Sequence, residues 1–492
     1  MAELKPGRSP EPLIFELAKP GAATYRVSGT DESGRARPGA VPSLPNELLR
    51  ADIDGFPELA ELEVVRHFTR LSQLNYSIDT EMYPLGSCTM KYNPRVNEAV
   101  ASQPGLAQLH PYAPLALQQG ALALASKLEH ALCEISGLDA VSLQPAAGAQ
   151  GELTGMMIIR AHHRAAGRDP RTVLIPASAH GTNPASCTLA GYSSVEIAVG
   201  PSGVLTPEDL APALSSDVAA VMITNPNTLG LFERHIVSIC EAVHRAGALV
   251  YLDGANMNAI MGHTRPADWG VDVMHFNLHK TFSTPHGGGG PGSGPVAVRK
   301  DLARFLPVPV IACDGEQFRL DWERLDSIGK VTSFYGNFAM AVRAYAYISM
   351  LGAEGIAATS EAAVLNANYL QERLKDLLHL PYPGRCMHET VLNDERQHAA
   401  GIKTLDMAKR LLDYGFHPPT VYFPLIVAGA FMVEPTESEP LHRLDAFADA
   451  MAAIVAEATL DPELVHNAPH TTPVRRLDEA RAARKPILRW TP

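Results

Sequence analysis

The chain reads as an α/β protein, with a mixed, mostly parallel sheet covered by helices and then a smaller C-terminal α/β domain. Three observations predict this. Short apolar runs at 172–175, 194–198, 218–223, 248–252, 271–278 and 295–299 alternate with helical segments, the pattern of strands buried on both faces. A helix leads into them: Leu117, Ala121, Leu124, Leu128, Leu132 and Ile135 recur at three-to-four spacing, and Gly137 stands at the C-cap. From about Phe338 the rhythm changes to long helices.

Taken in order, residues 1–45 are rich in Pro, Gly and charge and read as an extended arm, with Pro38, Pro42 and Pro45 before a helical stretch from Asn46. Residues 75–95 have neither helical nor strand periodicity, and so long and polar a loop is functional or disordered. Ile236, Cys240 and Val243 mark a helix between strands. Later helices cover 338–351, ended by Gly352, then 360–378, then 406–414, closed by Gly415. Strand-like 421–423 and 431–433 follow. The expected division is an arm with helices (1–110), a large domain (111–335) and a small α/β domain with a basic tail (336–492). Arg475, Arg476, Arg481, Arg484 and Lys485 in that tail are either a solvated face or a dock for an acidic partner.

With 492 residues, 46% of them hydrophobic, the chain is large enough for two or three domains. A formal charge of −12 repels nucleic-acid phosphate and argues against that class of partner. No run of about 18 apolar residues marks a membrane span. The first residues lack the apolar core of a signal peptide, and six scattered cysteines without a CxxC argue for a reducing compartment and no zinc site. The expectation is a cytoplasmic protein with no metal and no membrane partner.

Lys280 decides the functional reading. It closes the apolar run 271–278 and precedes Gly287-Gly-Gly-Gly290. Asp253, at the end of the run 248–252, lies 27 residues upstream (280 − 253). A buried lysine forms a Schiff base with an aldehyde, and a strand-end aspartate holds a pyridine nitrogen protonated; together they suggest pyridoxal 5'-phosphate. The plain alternatives are a solvated loop lysine and an Asp turn. Gln144-Pro-Ala-Ala-Gly-Ala-Gln-Gly151 opens a helix, whose free N–H groups and dipole suit a phosphate, or is an ordinary helix start. His180 in Ala179-His-Gly-Thr-Asn183 either stacks on a cofactor ring opposite Ala255 or is a strand-end histidine satisfied by backbone. His279 relays a proton or only packs.

Together these segments resemble the P-protein family of the glycine cleavage system, in its two-subunit form. The matching stretches are Pro84-Leu-Gly-Ser-Cys-Thr-Met-Lys91, Pro145-Ala-Ala-Gly-Ala-Gln-Gly-Glu152, Ala179-His-Gly-Thr-Asn183, Asp253-Gly-Ala-Asn256, the long run from His279-Lys280 to Gly292, Phe431-Met-Val-Glu-Pro-Thr-Glu437 and Ala468-Pro-His-Thr-Thr-Pro-Val474. The resemblance implies a fold-type I pyridoxal-phosphate enzyme, aspartate aminotransferase-like, with a mixed, mostly parallel sheet of the seven-stranded type. It implies decarboxylation of glycine and transfer of the aminomethyl group to the lipoyl group of H-protein. The chain would be the lysine-bearing subunit, paired with subunit 1 in a heterotetramer of two of each. Lys280 would be the Schiff-base lysine and Asp253 the pyridine partner, with His180 and Ala255 on the ring faces. Gly148, Ala149 and Gln150 would hold the phosphate, and Thr228 would lie near the cofactor hydroxyl. Lys280 and His279 would carry protons. Ser87, Thr89 and Asn337 are candidates for the glycine carboxylate. The alternative is another fold-type I decarboxylase or a desulfurase.

Overall fold

A computed structural model describes residues 11–19, 21–22, 45–48, 55–287 and 292–489. Most of the expected N-terminal arm, and Gly288 to Gly290 of the glycine run, lie outside the described residues. Of the arm, Glu11 is described: it pairs with His67 at 3.0 Å and Arg70 at 2.6 Å on the Glu61–Ser72 helix.

The large sheet has seven strands: β1 (Ala140–Ser142), β2 (Thr172–Pro176), β3 (Ser193–Ile197), β4 (Val218–Thr224), β5 (Leu249–Gly254), β6 (Val273–Phe276) and β7 (Val296–Val298). Their spatial order is β1-β7-β6-β5-β4-β2-β3. β3, β2, β4, β5 and β6 run parallel, while β7 pairs antiparallel with both β6 and β1. Every residue of β4 and β5 is buried, so both faces of the sheet are covered. Alternation along each strand divides the core. Val221, Ile223, Val250, Leu252, Met274 and Phe276 enter one cluster, and Ala220, Met222, Tyr251 and Val273 the other. The six apolar runs read from the sequence are β2 to β7. β1 escaped notice because three residues carry no periodicity, as did an antiparallel hairpin, β8 (Val310–Asp314) with β9 (Gln317–Asp321).

The Leu115–Ser136 helix ends at Gly137, whose φ of 74° is the left-handed cap the sequence predicts. Its buried face differs from the expected stripe. Leu122, Ala125, Leu128 and Leu132 are buried, and Leu117 is 68% exposed. A helix this apolar on several sides leaves the facing direction to its neighbours.

The Phe338–Leu374 helix breaks at Gly352 (φ 63°, ψ −175°) and resumes at once rather than at Ser360. By length and mean hydropathy it would suit a membrane span. Here it instead gives Ala344, Tyr347 and Ile356 to the large core and Leu370 and Leu374 to a third cluster. That cluster lies on a three-stranded antiparallel sheet, ordered β10 (Thr390–Asn393), β12 (Ala430–Val433), β11 (Thr420–Val421), and on the Leu441–Leu460 helix. In the basic tail, Arg476 is bound internally, 2.9 Å from Asp406.

The loop over residues 75–95 enters the interior, with Met82, Ser87, Thr89 and Lys91 buried. Its backbone therefore needs internal partners. Glu389 accepts the Ser87 N–H at 2.7 Å, and Glu434 accepts the Thr89 N–H at 2.9 Å. Lys91 is fixed by Glu437 at 3.0 Å, Asn258 at 2.8 Å and Tyr347 at 3.1 Å.

Candidate active site

The carboxyl ends of the parallel strands open on one cavity of about 170 Å³. Its walls include Thr224 from β4, Asp253 from β5, His275 from β6, and Asn277, His279 and Lys280 from the turn after β6. Gly148 and Ala149 bring the N-terminus of the Gly148–Ala165 helix to it. His180, Thr228, Ala255 and Ser87 complete it together with Glu152, Thr182 and Asn256.

Parallel pairing places Asp253 opposite His275. Burial opposes the charge on Asp253, but His275, Lys280 and the Ala255 N–H, at 2.9 Å from Oδ1, outweigh it and hold the carboxyl below its usual range. Burial also keeps His275 neutral. Burial holds the proton on the Tyr251 phenol, so its hydroxyl donates to His275 Nδ1 at 2.7 Å. The ring proton of His275 is then on Nε2, 3.4 Å from Asp253 Oδ1. Tyr251 and His275 thus present an N–H to an ionised carboxylate.

Glu152 stands one helical turn from Gly148 and accepts from Thr182 Oγ1 at 2.7 Å and Ser186 Oγ at 2.8 Å. Burial and the charge of Asp253 push its carboxyl up to about 7, against the pull of those hydroxyls. Thr182 Oγ1 also lies 2.8 Å from His180 Nδ1, which takes the Thr182 N–H at 3.2 Å. A protonated Glu152 donating to Thr182 lets that hydroxyl donate on to His180; an ionised Glu152 takes the hydroxyl proton for itself. The state of Glu152 therefore sets the hydrogen bonding of His180. His180 is held neutral by burial.

His279 is pushed down to about 3 by burial, with His286 and Lys280 adding to it. Its Nδ1 accepts the Ser293 N–H at 3.3 Å, and its Nε2 lies 3.5 Å from Asn277 Nδ2. A Cβ on Gly292 would come 2.7 Å from His279 Nδ1, so the close approach there requires glycine.

Lys280, His279, His180, Asp253, Ala255, Gly148, Ala149 and Thr228 all line this cavity. Gln150 does not: its side chain accepts from Ala146 N at 2.7 Å and donates to Val331 O at 2.6 Å, which leaves only its place in the helix's first turn. The Thr228 hydroxyl donates to Ser178 O. Of the three residues considered for a carboxylate, Ser87 lines the cavity, Thr89 gives its hydroxyl to Glu434 at 2.5 Å and Asn337 donates to Gly292 O at 3.0 Å. Sequence reading missed Glu152, His275 and Asn277. Glu152 carried a signal, the four-residue spacing from Gly148 that puts both on one helix face. The Asp253–His275 contact carried none, because strand register is a tertiary property.

Comparison with solved structures defines the class. A crystal structure of glycine decarboxylase (P-protein) of the glycine cleavage system in inhibitor-bound form aligns with a TM-score of 0.71 at 22% identity, covering 83% of this chain and 93% of that one. The apo cysteine desulfurase of Thermococcus onnurineus NA1 aligns at 0.60 and 14% identity, over 77% and 95%. These likenesses show the fold, that of the fold-type I pyridoxal-phosphate enzymes.

Sequence comparison gives the family. Residues 41–319 match the model "Glycine cleavage system P-protein" and 359–470 match "Glycine dehydrogenase, C-terminal domain". A probable glycine dehydrogenase (decarboxylating) subunit 2 of Caldanaerobacter subterraneus is 55% identical over 480 residues, 97% of this chain and 98% of that protein. The protein of the same name from Halalkalibacterium halodurans is 54% identical, with the same coverage. The chain belongs to the glycine cleavage system P-protein family.

Proposed function

We propose that this chain binds pyridoxal 5'-phosphate, decarboxylates glycine and passes the aminomethyl group to the lipoyl disulfide of H-protein. It would act as the lysine-bearing half of a glycine dehydrogenase, with subunit 1 completing a heterotetramer of two of each, in a bacterial or archaeal cytoplasm. The observation that carries the reading is the meeting of Lys280, Asp253 and the helix N-terminus at Gly148 in one cavity.

The residues fit the cofactor. Thr224 Oγ1, Asn256 Oδ1 and Asn277 Oδ1 are buried in the cavity wall without a partner among the described residues, as polar atoms awaiting a polar ligand would be. The helix start offers free N–H groups for a phosphate, and glycine at 148 leaves room for it. Bound there, the cofactor supplies an aldehyde for the Lys280 amine and a ring that accepts an electron pair.

The chain's own groups supply the rest. Asp253, kept ionised, holds a proton on the ring nitrogen, supported by the His275 N–H. His180 and Ala255 are the walls for the two ring faces, and Gly148 and Ala149 hold the phosphate. Ser87 is the candidate for orienting the glycine carboxylate, since decarboxylation requires the breaking bond to be aligned with the electron acceptor. Lys280 and His279 move protons at the amine nitrogen as glycine takes the place of the Lys280 amine.

The test is colour and chemistry together. The purified protein saturated with pyridoxal phosphate should absorb visible light, and borohydride should bleach it irreversibly. Lys280→Ala should show neither, and should release no CO2 from glycine with H-protein and subunit 1 present. Wild-type CO2 release by that variant refutes the assignment.

A further inference from the structure

Next to Ser87 lies a second cluster of titratable groups. His388, Glu389 and Glu434 are fully buried, and their ring-nitrogen and carboxylate atoms lie within 4.8 Å of one another. The small sheet brings them together. Thr390 pairs with Val433, so the residues just outside that pair, Glu389 and Glu434, become neighbours.

Their hydrogen bonding is unequal. Glu434 accepts the Thr89 N–H on Oε2 at 2.9 Å and the Thr89 hydroxyl on Oε1 at 2.5 Å. Among the described residues Glu389 accepts only the Ser87 N–H, on Oε2 at 2.7 Å, and its Oε1 has no partner. Among the described residues neither His388 nitrogen has a partner; Nε2 lies 3.9 Å from Glu434 and 4.0 Å from Glu389. Two carboxylates this close, buried and without a cation in hydrogen-bond contact, do not both ionise. Two donors on Glu434 favour its charge, while the bare Oε1 of Glu389 is where a proton fits. The surrounding charges act on both. Lys280 favours ionisation of either carboxyl, while Glu437 opposes it at Glu434. Burial and Lys280 hold His388 neutral, so it offers one N–H donor and one acceptor nitrogen beside the pair. Burial keeps the Cys88 thiol protonated.

We propose that Glu389 and Glu434 hold one proton between them, resident on Glu389 Oε1, and that this pair is the reservoir for the proton consumed in the reaction. The inference rests on the proposed reaction. There the bond from carbon to carboxylate breaks and CO2 leaves. The electron pair forms a carbon–sulfur bond, the lipoyl S–S bond breaks, and the departing sulfur takes one proton. Zwitterionic glycine, a disulfide and one proton become CO2, an aminomethyl thioether with a charged amine, and a thiol, so one proton is consumed per turnover. Ser87 borders both reservoir and site, since it lines the Lys280 cavity and its N–H is bound to Glu389.

Both glutamates also anchor the buried loop, but anchoring needs only acceptor oxygens, which glutamine keeps. Glu389→Gln therefore separates the two roles. The infrared difference spectrum of wild-type protein minus Glu389→Gln, both without cofactor, should contain the carbonyl band of one protonated carboxylic acid at neutral pH. In the assembled enzyme that variant should form the H-protein thiol about 100-fold more slowly, the scale of a lost general acid. Its glycine-induced spectral change should keep wild-type amplitude and affinity. Glu389→Asp, which restores an acid, should recover about tenfold of the loss. Absence of that band from the difference spectrum, or thiol formation by Glu389→Gln at the wild-type rate, overturns the proposal. If wild type itself releases no CO2 from glycine, the proposed reaction is what fails and the reservoir role falls with it, while the infrared band still decides whether the proton is shared.

Discussion

Gly148→Ala tests the cofactor site most directly. A methyl at 148 would stand 2.3 Å from Asn277 Nδ2, 3.3 Å from its Cγ and 3.4 Å from its Oδ1. Ordinary contact begins near 3.4 Å, so the amide must retreat by 3.4 − 2.3 = 1.1 Å. Asn277 is 5% exposed and borders the neutral His279, so it has no solvent to swing into. The free protein relaxes by pushing the amide into the cavity; a bound phosphate removes that outlet. Overpacking of this kind costs about 1–3 kcal/mol. Charged to the bound state, that weakens pyridoxal phosphate binding by about 5- to 150-fold. The assay is an absorbance titration of cofactor-free protein. Gly120→Ala is the control: it lies inside the Leu115–Ser136 helix with nothing within 4 Å of the new methyl. It should leave affinity unchanged and raise stability by up to about 1 kcal/mol. An affinity for Gly148→Ala within twofold of wild type, or an equal loss in the control, refutes the reasoning.

Two further outcomes follow from the charges around the cavity. Asp253→Asn removes the anion that keeps a ring nitrogen protonated, so glycine decarboxylation should fall by about 100-fold or more while cofactor affinity changes by less than about tenfold; an unchanged rate takes Asp253 out of the mechanism. Glu152 keeps its proton to about pH 7 in the fold but loses it near 4.5 when unfolded. The folded state then binds more protons through that window, so wild type loses stability relative to Glu152→Gln as pH rises from about 5 to 7. Urea midpoints at several pH values check this, and a difference that does not vary with pH contradicts it.

The chemistry and the strands were legible along the chain. The six runs that became β2 to β7 announced themselves because strands buried on both faces are apolar throughout. Gly137, Gly352 and Gly415 marked helix ends because the backbone there turns left-handed, with φ of 74°, 63° and 84°. Lys280 and Asp253 stood out as polar residues closing apolar runs, and the glycine-opened helix at 148 as a candidate phosphate seat. What failed locally failed for lack of signal. β1 and the β8–β9 hairpin are too short or too exposed to show a period, and the Leu115–Ser136 helix has apolar residues on more than one side.

Residue type and spacing by themselves marked the groups proposed to carry the chemistry and determined which family the chain resembles. The tertiary structure decided what those groups meet. Register between β5 and β6 set His275 against Asp253, and pairing of β10 with β12 set Glu389 beside Glu434. The packed loop then delivered Ser87 to the cavity wall, while the Val331 carbonyl drew the Gln150 side chain away from it. Such contacts join residues far apart in sequence, and their energies depend on burial and on neighbouring charge, which exist only once the chain has folded.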